Sequence, residues 1–351
     1  MDKFEKKISD KFIYSYTTIS NIINYLEKNE LNSLKSIMKK KFNISVVCLL
    51  QLYEIDKELV ISGSCDSTMK VWKIDKDQCI RTLTGHNKAV RCMIWVKDIN
   101  KYYIVSGSED CTLKMWNIES GKCITTIIGH KGGINALVYL NDIDKNMVAS
   151  ASADSLIKIW NVSTSDCIKT LEGHTEAINS ILYHRIGNGV STNGNMIMSF
   201  SKDETMSIWN VENKEFIQNN LMKDKIIGKV NGAISFGNSK IITGSDDGKV
   251  KVWCLNKWEN FKTFSEHKGS IKCILSLEEL DKNLFATGSE DKTIKIWNLK
   301  MGVTKEEKTD VVINTINVST CFPFSIVHLK FYEYRTLATG NNDGSIQLIK
   351  I

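Results

Sequence analysis

The sequence contains one proline in 351 residues, Pro323. Its tight turns must therefore be built from Gly, Asn, Asp and Ser. It has no run of 18 or more apolar residues, so it predicts no membrane span. The N-terminus, MDKFEKKISD, lacks the apolar core of a signal peptide. These absences lead us to expect a protein of the cytoplasm or nucleus.

The ten cysteines do not include a CxxC pair, so neither a zinc site nor a redox motif is indicated. We predict no metal ion and no cofactor. The cysteines are periodic instead, and we expect them to be small buried hydrophobes in a reducing compartment. Two sets recur at equivalent positions: Cys79, Cys123 and Cys167, and Cys48, Cys92 and Cys273.

A turn that ends in Asp recurs seven times, and each time a large apolar residue follows six positions later. Successive Asp residues are 44, 44, 49, 44, 44 and 52 apart. A period of about 40–45 residues is typical of one four-stranded sheet repeated radially, because no such unit buries its own faces alone. The pairs are Asp66/Trp72, Asp110/Trp116, Asp154/Trp160, Asp203/Trp209, Asp247/Trp253, Asp291/Trp297 and Asp343/Ile349.

The clearest unit starts at Gly85-His86 and continues from Ala89 to Gly129 as AVRCMIWVKDINKYYIVSGSEDCTLKMWNIESGKCITTIIG. It resembles a WD-repeat unit, and the resemblance covers roughly residues 44 to 351. It implies an all-β fold, a seven-bladed WD-repeat β-propeller. The amphipathic pattern of the N-terminal residues separately predicts a short helical segment within residues 1–43. The sequence departs from the family in one respect: its Trp is followed by Asn, Lys or Cys, and never by Asp.

Four blades carry a further set of His, Ser or Thr, Asp and Trp. In the family the His bridges the Asp to the hydroxyl, which in turn bonds the Trp ring nitrogen. Taken singly, Ser, His and Asp suggest a hydrolase triad, but four equivalent sets indicate a structural device, and we predict no catalytic residue. The sets are His86/Ser106/Asp110/Trp116, His130/Ser150/Asp154/Trp160, His174/Ser199/Asp203/Trp209 and His267/Thr287/Asp291/Trp297.

The other three blades keep only part of this set, and we expect them to be less stable. Blade one has Ser62 without a Gly-His, blade five has Thr243, and blade seven has Thr339 with Ile in place of Trp. The five extra residues of blade four should lie in the Gly/Asn-rich loop HRIGNGVSTNGN. Residues 301–320 are expected to form a second irregular connection.

The first 41 residues hold nine Lys against five Asp and Glu, which accounts for +4 of the net charge of +6. Since Lys mixed with acids is typical of a solvated surface, direct nucleic-acid binding is not expected. The last repeat ends at its third strand, so the N-terminus should supply the closing strand, either at 12–16, which is favoured because FIYSYTT is rich in β-formers, or at 34–38. Amphipathic helices are expected at about 18–41; these pack on the propeller or mediate dimerisation.

We expect partners to bind the rim on the side of the Asp turns, which we call the top face. An uncharged sector on blades seven and one should lie between charged pairs on blades six and two and form a peptide groove. The residues placed on the rim are Arg91, Glu109, Asn135, Ala153, Asn179, Lys202, Ser235, Asp246, Lys272, Glu290, Val327, Asn342, Val47 and Cys65.

The fold implied by the resemblance favours a non-enzymatic scaffold or adaptor that presents peptide-binding loops to other proteins. The alternatives are a substrate receptor or another subunit of a larger complex, such as a ubiquitin ligase or a chromatin or RNA-processing assembly. An enzyme is less favoured, because the sequence lacks a phosphate-binding loop and any unique acid/base pair outside the repeats.

Overall fold

The computed structural model describes residues 44–184, 195–212, 215–219, 229–237, 239–255, 257, 259–299, 312–318, 321–330 and 336–351. All of them belong to one compact unit, Ile37–Ile351. Residues 1–43, which include the expected closing strands and amphipathic helices, lie outside the described residues. No helix in the described part of the chain is long and apolar enough to cross a membrane.

The described strands form seven antiparallel sheets in which each strand pairs with the next along the chain. These sheets are the seven blades of a β-propeller. The first three blades are β1 (Val46–Gln51), β2 (Leu59–Ser64), β3 (Met69–Lys73) and β4 (Gln78–Leu83); β5 (Val90–Trp95), β6 (Tyr103–Ser108), β7 (Thr112–Asn117) and β8 (Lys122–Ile128); and β9 (Ile134–Tyr139), β10 (Met147–Ser152), β11 (Ile157–Asn161) and β12 (Asp166–Leu171).

The remaining blades repeat this order, and blade seven has three strands among the described residues. They are β13 (Ile178–His184), β14 (Asn195–Ser201), β15 (Met206–Glu212) and β16 (Glu215–Asn219); β17 (Val230–Phe236), β18 (Lys240–Ser245), β19 (Val250–Cys254) and β20 (Glu259–Phe264); β21 (Ile271–Ser276), β22 (Leu284–Ser289), β23 (Thr293–Asn298) and β24 (Val312–Asn317); and β25 (Pro323–His328), β26 (Thr336–Asn341) and β27 (Ile346–Lys350).

Two loop predictions can be compared with these bounds. The extra residues of blade four do lie between β13 and β14, since Ile178 pairs with Ser201 where Ile134 pairs with Ser152 in blade three. The prediction that residues 301–320 are irregular throughout was wrong. Within that stretch β24 pairs with β23 as the outer strand of blade six, and the missed signal is its richness in β-branched residues, VINTIN.

Among the residues that the structure describes, the hydrophobic core consists of seven clusters, one between each pair of neighbouring blades. Trp116 of blade two, for example, packs against Leu59, Ile61 and Val71 of blade one. The large apolar residue that follows each Asp turn fills the equivalent cluster in every case. The spacing of six residues recurs because the third strand of each blade must deliver this side chain to its neighbour.

Close approach of neighbouring blades also favours glycine on the second strand, where five blades have it and blades three and four have Ala151 and Phe200. A Cβ at Gly107 would lie 2.6 Å from the side chain of Ile134 in the next blade, and a Cβ at Gly340 would lie 2.5 Å from Val46. Both distances are too short for real Cβ contacts. These glycines therefore set how tightly the inner strands pack.

The innermost strands are joined around the whole ring by contacts from one blade to the next. Across the junction of blades seven and one, the Leu49 amide donates to Ser325 Oγ at 3.1 Å, and the Ser45 hydroxyl donates to the carbonyl oxygen of Asn342 at 2.8 Å. Gln51 exchanges two further hydrogen bonds with the backbone of Lys330. The first and last blades are thus joined directly, without a segment from outside the described residues.

Blade seven generates the first prediction, because β27 has no partner strand on its outer side among the described residues. An open strand edge promotes aggregation. If residues 12–16 supply the missing strand, deletion of residues 1–17 should lower the melting temperature sharply or cause aggregation. Thermal melting and light scattering would measure both effects.

Deletion of residues 1–17 that leaves a cooperatively melting monomer would instead assign the closing strand to residues 34–38. The matched experiment is deletion of residues 1–10 alone. This shorter deletion should leave the melting temperature unchanged in either case, because it spares both candidate strands.

Candidate functional site: buried polar sets and the top-face mouth

The first candidate site is the repeated buried set, seen most clearly in blade two. His86 lies in the loop before β5, Ser106 on β6, Asp110 in the turn after β6, and Trp116 on β7. His86 Nδ1 is 2.8 Å from Asp110 Oδ2, and its Nε2 is 2.8 Å from Ser106 Oγ. The Trp116 ring nitrogen donates to the same hydroxyl at 2.8 Å. The chain of bonds implied by the family resemblance is present.

Blades three and six contain the same chain of bonds, with every distance between 2.7 and 2.8 Å. In blade four, His174 joins Asp203 at 2.9 Å and Ser199 at 2.7 Å. The Trp209 ring packs against the His174 ring with the centroids 6.2 Å apart. Four histidines therefore occupy equivalent positions in four of the seven blades, namely two, three, four and six.

The carboxylate at the top of each set accepts several hydrogen bonds. Asp110 accepts from His86, from the backbone amides of Asn87 and Thr112, and from the Thr112 hydroxyl. Burial by itself raises the pKa of Asp110, but the bonds from Thr112, Asn87 and His86 outweigh burial and lower the pKa to about 2. The same balance, with Thr205 and Thr175 as the main donors, lowers the pKa of Asp203 to about 2. Both side chains are carboxylates at neutral pH.

Burial favours the neutral form of His86, His130 and His267, and for a neutral ring the two hydrogen bonds assign the tautomer. Nδ1–H donates to the carboxylate, and Nε2 accepts the Ser or Thr hydroxyl proton, which leaves the hydroxyl oxygen free to accept from Trp. Burial lowers the pKa of His86, His130 and His267, and this effect exceeds the opposing effect of the partner carboxylates.

The order of atoms in this set is that of a hydrolase triad, Asp to His to Ser. Its burial prevents that chemistry, because Ser106, Ser150, Ser199 and Thr287 are each 0% exposed. A nucleophile must reach its substrate and needs donors around an oxyanion. The hydroxyl oxygen instead accepts a hydrogen bond from the Trp ring nitrogen. The set therefore orients the buried indole and provides an acceptor for its N–H group.

The incomplete sets lose their members in a regular order. In blade one the Trp72 ring nitrogen donates to Ser62 Oγ at 2.9 Å, and in blade five Trp253 donates to Thr243 Oγ1 at 3.0 Å, in each case without a histidine. In blade seven the Thr339 hydroxyl is buried and has no hydrogen-bond partner among the described residues. Its neighbour on β27, Ile349, cannot donate a hydrogen bond.

The second candidate site is the opening of the central channel on the top face, which we call the mouth. It is a cavity of about 380 Å³. Seven of its lining residues occupy the same position in the seven blades, one after the residue that begins the inner-strand pairing. They are Val47, Arg91, Asn135, Asn179, Asn231, Lys272 and Phe324, and Lys202 and Asp246 complete the lining.

This arrangement corrects two of the rim assignments. Phe324, and not Val327, occupies the rim position of blade seven, and Val327 packs between blades seven and one. Asn231, and not Ser235, occupies the position in blade five. The Ser235 hydroxyl lies 3.0 Å from His184 Nδ1, near the far end of its strand.

The missed signal was the distance from the rim residue to the turn Asp. Arg91 precedes Asp110 by 19 residues, and Phe324 precedes Asp343 by the same number. Blades five and seven lack the Gly-His that marks the start of the inner strand elsewhere. Without that marker, counting back from the Asp places Phe324 correctly but still misplaces Asn231, because the hairpin of blade five is three residues shorter.

The charged rim residues form ion pairs within the mouth. Arg91 pairs with Glu109, and Lys272 lies 3.0 Å from Glu290 and 4.0 Å from Asp246. Burial raises the pKa of Asp246, but hydrogen bonds from Asn231 and Ser270 and the nearby charge of Lys272 outweigh it, so the pKa is lowered. Asp246 is therefore a carboxylate, and each of the three acids lies beside a cation of the rim.

The uncharged sector is present on blades seven and one, where Val47 and Phe324 line the mouth. The Phe322 ring meets the Phe324 ring edge to face, with centroids 5.1 Å apart. Asn342 caps this sector from within: its side chain accepts the Phe322 amide, and its carbonyl accepts the Ser45 hydroxyl. Asn342 thus holds the seam between two blades through its side-chain oxygen and its carbonyl. Cys65 of blade one is exposed.

The cysteines divide into two groups, and the prediction that both are buried was wrong for one of them. Cys48, Cys92 and Cys273 pack at the inner seams, where their thiols approach carbonyl oxygens of the next blade at 3.7–4.0 Å. Burial raises the pKa of Cys48 and Cys273 to about 12. On the outer strands, by contrast, Cys123 and Cys167 are exposed and Cys79 is partly exposed, because an outer strand has no neighbour on its far side.

The comparisons with known proteins agree with this architecture. The family model "WD domain, G-beta repeat" matches residues 40–73, 77–117, 121–161, 165–210, 227–254 and 258–298. These segments make up more than half of the chain, which therefore belongs to the WD40 family. Blade seven, which has lost both its Gly-His and its Trp, lies outside these segments.

Two similar proteins illustrate how far the likeness extends. The p21-activated protein kinase-interacting protein 1-like of Xenopus laevis is 40% identical over 45 residues, which are 12% of this chain and 12% of that protein. The solved structure described as "Structure of U3-55K" has a TM-score of 0.71 and 19% identity, and the match covers 89% of this chain and 97% of that one. At this identity, the second likeness shows the fold alone.

The lone hydroxyl of blade seven generates the second prediction. Thr339→Val removes a buried group that has no hydrogen-bond partner among the described residues, so it should stabilise the protein by about 1–3 kcal/mol. Thr287→Val at the equivalent position of blade six removes a hydroxyl that bonds both His267 and Trp297. That variant should be destabilised by a similar amount.

Denaturant unfolding of the two variants beside the wild type would give both changes. The two variants are matched controls for each other, because the same substitution is made at the same position of two blades. Equal destabilisation of both variants would contradict the assignment of Thr339 as an unpaired group.

The third prediction concerns pH. A histidine whose pKa is lowered on folding binds a proton more readily when unfolded, so its contribution to stability is complete above the unfolded pKa of about 6.5 and is lost as pH falls. Stability should therefore decrease from about pH 7 toward pH 5. It should decrease again between about pH 4 and pH 2 as Asp110 and Asp203 are protonated.

The slope of the unfolding free energy against pH measures this proton uptake. His86→Gln removes one group that binds a proton on unfolding. It should therefore reduce the slope between pH 7 and 5 by up to about 1.4 kcal/mol per pH unit, the value for one proton. A slope that His86→Gln leaves unchanged would show that this imidazole is not held neutral.

Proposed function

We propose that this protein is a non-enzymatic interaction scaffold that binds segments of other proteins at the mouth of its top face. The WD40 fold is typical of such scaffolds, and the chain's membership of that family supports the general assignment. The specific surface is supported by the geometry of the mouth. A rigid ring that presents loops from several blades is suited to holding peptides.

One observation carries the proposal: the framework repeats while the mouth varies. Behind the rim, four blades use the same His, Asp and hydroxyl connections with nearly the same distances. At the rim, the equivalent positions include Val, Arg, Asn, Lys and Phe. Packing and hydrogen bonding explain the uniform framework. Recognition of a specific partner requires a surface that differs from blade to blade, as the rim does.

An enzymatic role has less support. The Ser, His and Asp constellation is buried, as described above, and the described residues contain no group of three or more His, Cys, Asp or Glu that could hold a metal ion. The mouth contains ion pairs that satisfy one another, without an isolated acid and base aimed at a common point.

A role as a substrate receptor or another subunit of a larger complex is the second candidate. The name of the Xenopus laevis relative describes a protein that interacts with a kinase, and this favours association with other proteins. The assemblies considered are ubiquitin ligases and chromatin or RNA-processing complexes, in the cytoplasm or the nucleus. Direct nucleic-acid binding is not part of the proposal.

The fourth prediction tests the top face. Affinity purification with quantitative mass spectrometry should recover partners with the wild type and fewer of them with Arg91→Glu or Lys272→Glu, because each change reverses a charge of the mouth. Lys101→Glu is the control, since Lys101 is exposed in the β5–β6 loop on the opposite face. The melting temperature of each variant should stay close to that of the wild type.

The same partners recovered at the same levels with all three variants would contradict binding at the mouth. Parallel loss of partners and of melting temperature would mean that the fold had been disturbed. In that case Phe324→Ala, which alters the mouth without introducing a charge, replaces the reversals.

A further inference from the structure

The mouth has two chemically different ends. Its apolar end is formed by Phe324 of blade seven and Val47 of blade one, with Phe322 packed behind Phe324. In a ring of seven blades, blade four lies directly across from the junction of blades seven and one. The side chain that blade four contributes beside Asn179 is Lys202.

The walls between these two ends neutralise their own charges. On blade two Arg91 pairs with Glu109, and on blade six Lys272 pairs with Glu290 and approaches Asp246. Asp246 is further held by the Asn231 amide at 2.6 Å and the Ser270 hydroxyl at 2.7 Å. A partner gains little from these groups unless it breaks bonds that already exist.

Lys202 differs from the other cations of the mouth. It is exposed, and its ammonium has no ion pair or hydrogen bond with any side chain that the structure describes; its backbone amide alone is bonded, to the carbonyl of Ala177. A lysine ammonium offers three donors and a full charge. Lys202 is therefore ready to pair with an anionic group of a ligand.

Three asparagines line the polar half of the mouth, and each uses its amide NH₂ group within the protein. Asn135 donates to the carbonyl of Ile178, Asn179 to that of Val230 and Asn231 to that of Ile271. Their orientation is thereby fixed. The amide oxygens accept no hydrogen bond from described groups, so they can receive backbone N–H groups of a bound chain.

We infer that the mouth binds a peptide that carries a carboxylate at one end, paired with Lys202, and an aliphatic or aromatic side chain at the other, packed on Phe324 and Val47. This inference rests on the proposed function and names the class of its ligand. The volume of about 380 Å³ lies within the range of ordinary binding pockets. A basic peptide is disfavoured, because each acid of the mouth already has a partner.

The test is selection of a displayed library of short random peptides against the full chain, followed by titration of the most enriched peptide labelled with a fluorophore. Enriched sequences should combine Asp or Glu with a large apolar residue. Lys202→Glu and Phe324→Ala should each weaken binding of that peptide about tenfold or more. Lys88→Glu is the matched control, since Lys88 is exposed in the loop before β5 and does not line the mouth.

A charge swap sharpens the test. Replacing the acidic residue of the peptide by Lys should abolish binding to the wild type and restore it to Lys202→Glu. Peptides without an acidic residue that are weakened by Phe324→Ala and Arg91→Glu but not by Lys202→Glu would overturn this inference and leave the proposed function standing. Failure to enrich any peptide, or enrichment of peptides that no mouth variant weakens, would overturn both.

Discussion

The structure depends on one constraint: no blade can cover its own two faces. Each third strand carries a large apolar side chain that is buried only when the preceding blade packs against it, as Trp116 does against Ile61 and Val71. The Trp116, Trp160 and Trp297 side chains are at most 1% exposed. Burying one such side chain contributes several kcal/mol at most, so stability is a sum over seven interfaces and requires a closed ring. The Asp-to-Trp spacing, the strand glycines and the inner-strand hydrogen bonds all serve this packing.

Burial of an indole creates a second requirement, because its N–H must find an acceptor. The hydroxyl on the second strand accepts it, the imidazole fixes the hydroxyl, and the carboxylate fixes the imidazole. This order explains how the set decays: blades one and five lose the histidine and keep the hydroxyl-to-Trp bond, while blade seven loses the Trp and leaves Thr339 without a described partner. The polar set is therefore secondary to the tryptophan.

Much of the fold could be predicted from the sequence. The same buried position recurs in seven blades, and the same packing constraint favours the same type of residue at each. The recurring Asp/Trp pairs therefore predict the number of blades, and the resemblance to the WD-repeat family implies the hydrogen bonds of the four polar sets. The rim was harder because its residues face a channel and share no packing constraint, so their position had to be counted from a marker. Blades five and seven lack Gly-His. In these blades the predicted rim residues, Ser235 and Val327, are wrong, and Asn231 and Phe324 occupy the rim position. The prediction that the outer-strand cysteines are buried was wrong for a related reason. Periodicity identifies equivalent positions, but it does not distinguish a buried seam between blades from an exposed strand edge.

The variable rim and the uniform framework meet at the junction of blades seven and one. Asn342 holds Phe322 through its side chain and Ser45 through its carbonyl, so the residue that supports the apolar end of the mouth also joins the two ends of the ring. Blade seven is also the blade that has lost its Trp and whose outer strand edge has no described partner. The position of Phe324 therefore depends on how firmly blade seven is held. Closure of the ring and the shape of the apolar end of the mouth are set by the same few contacts.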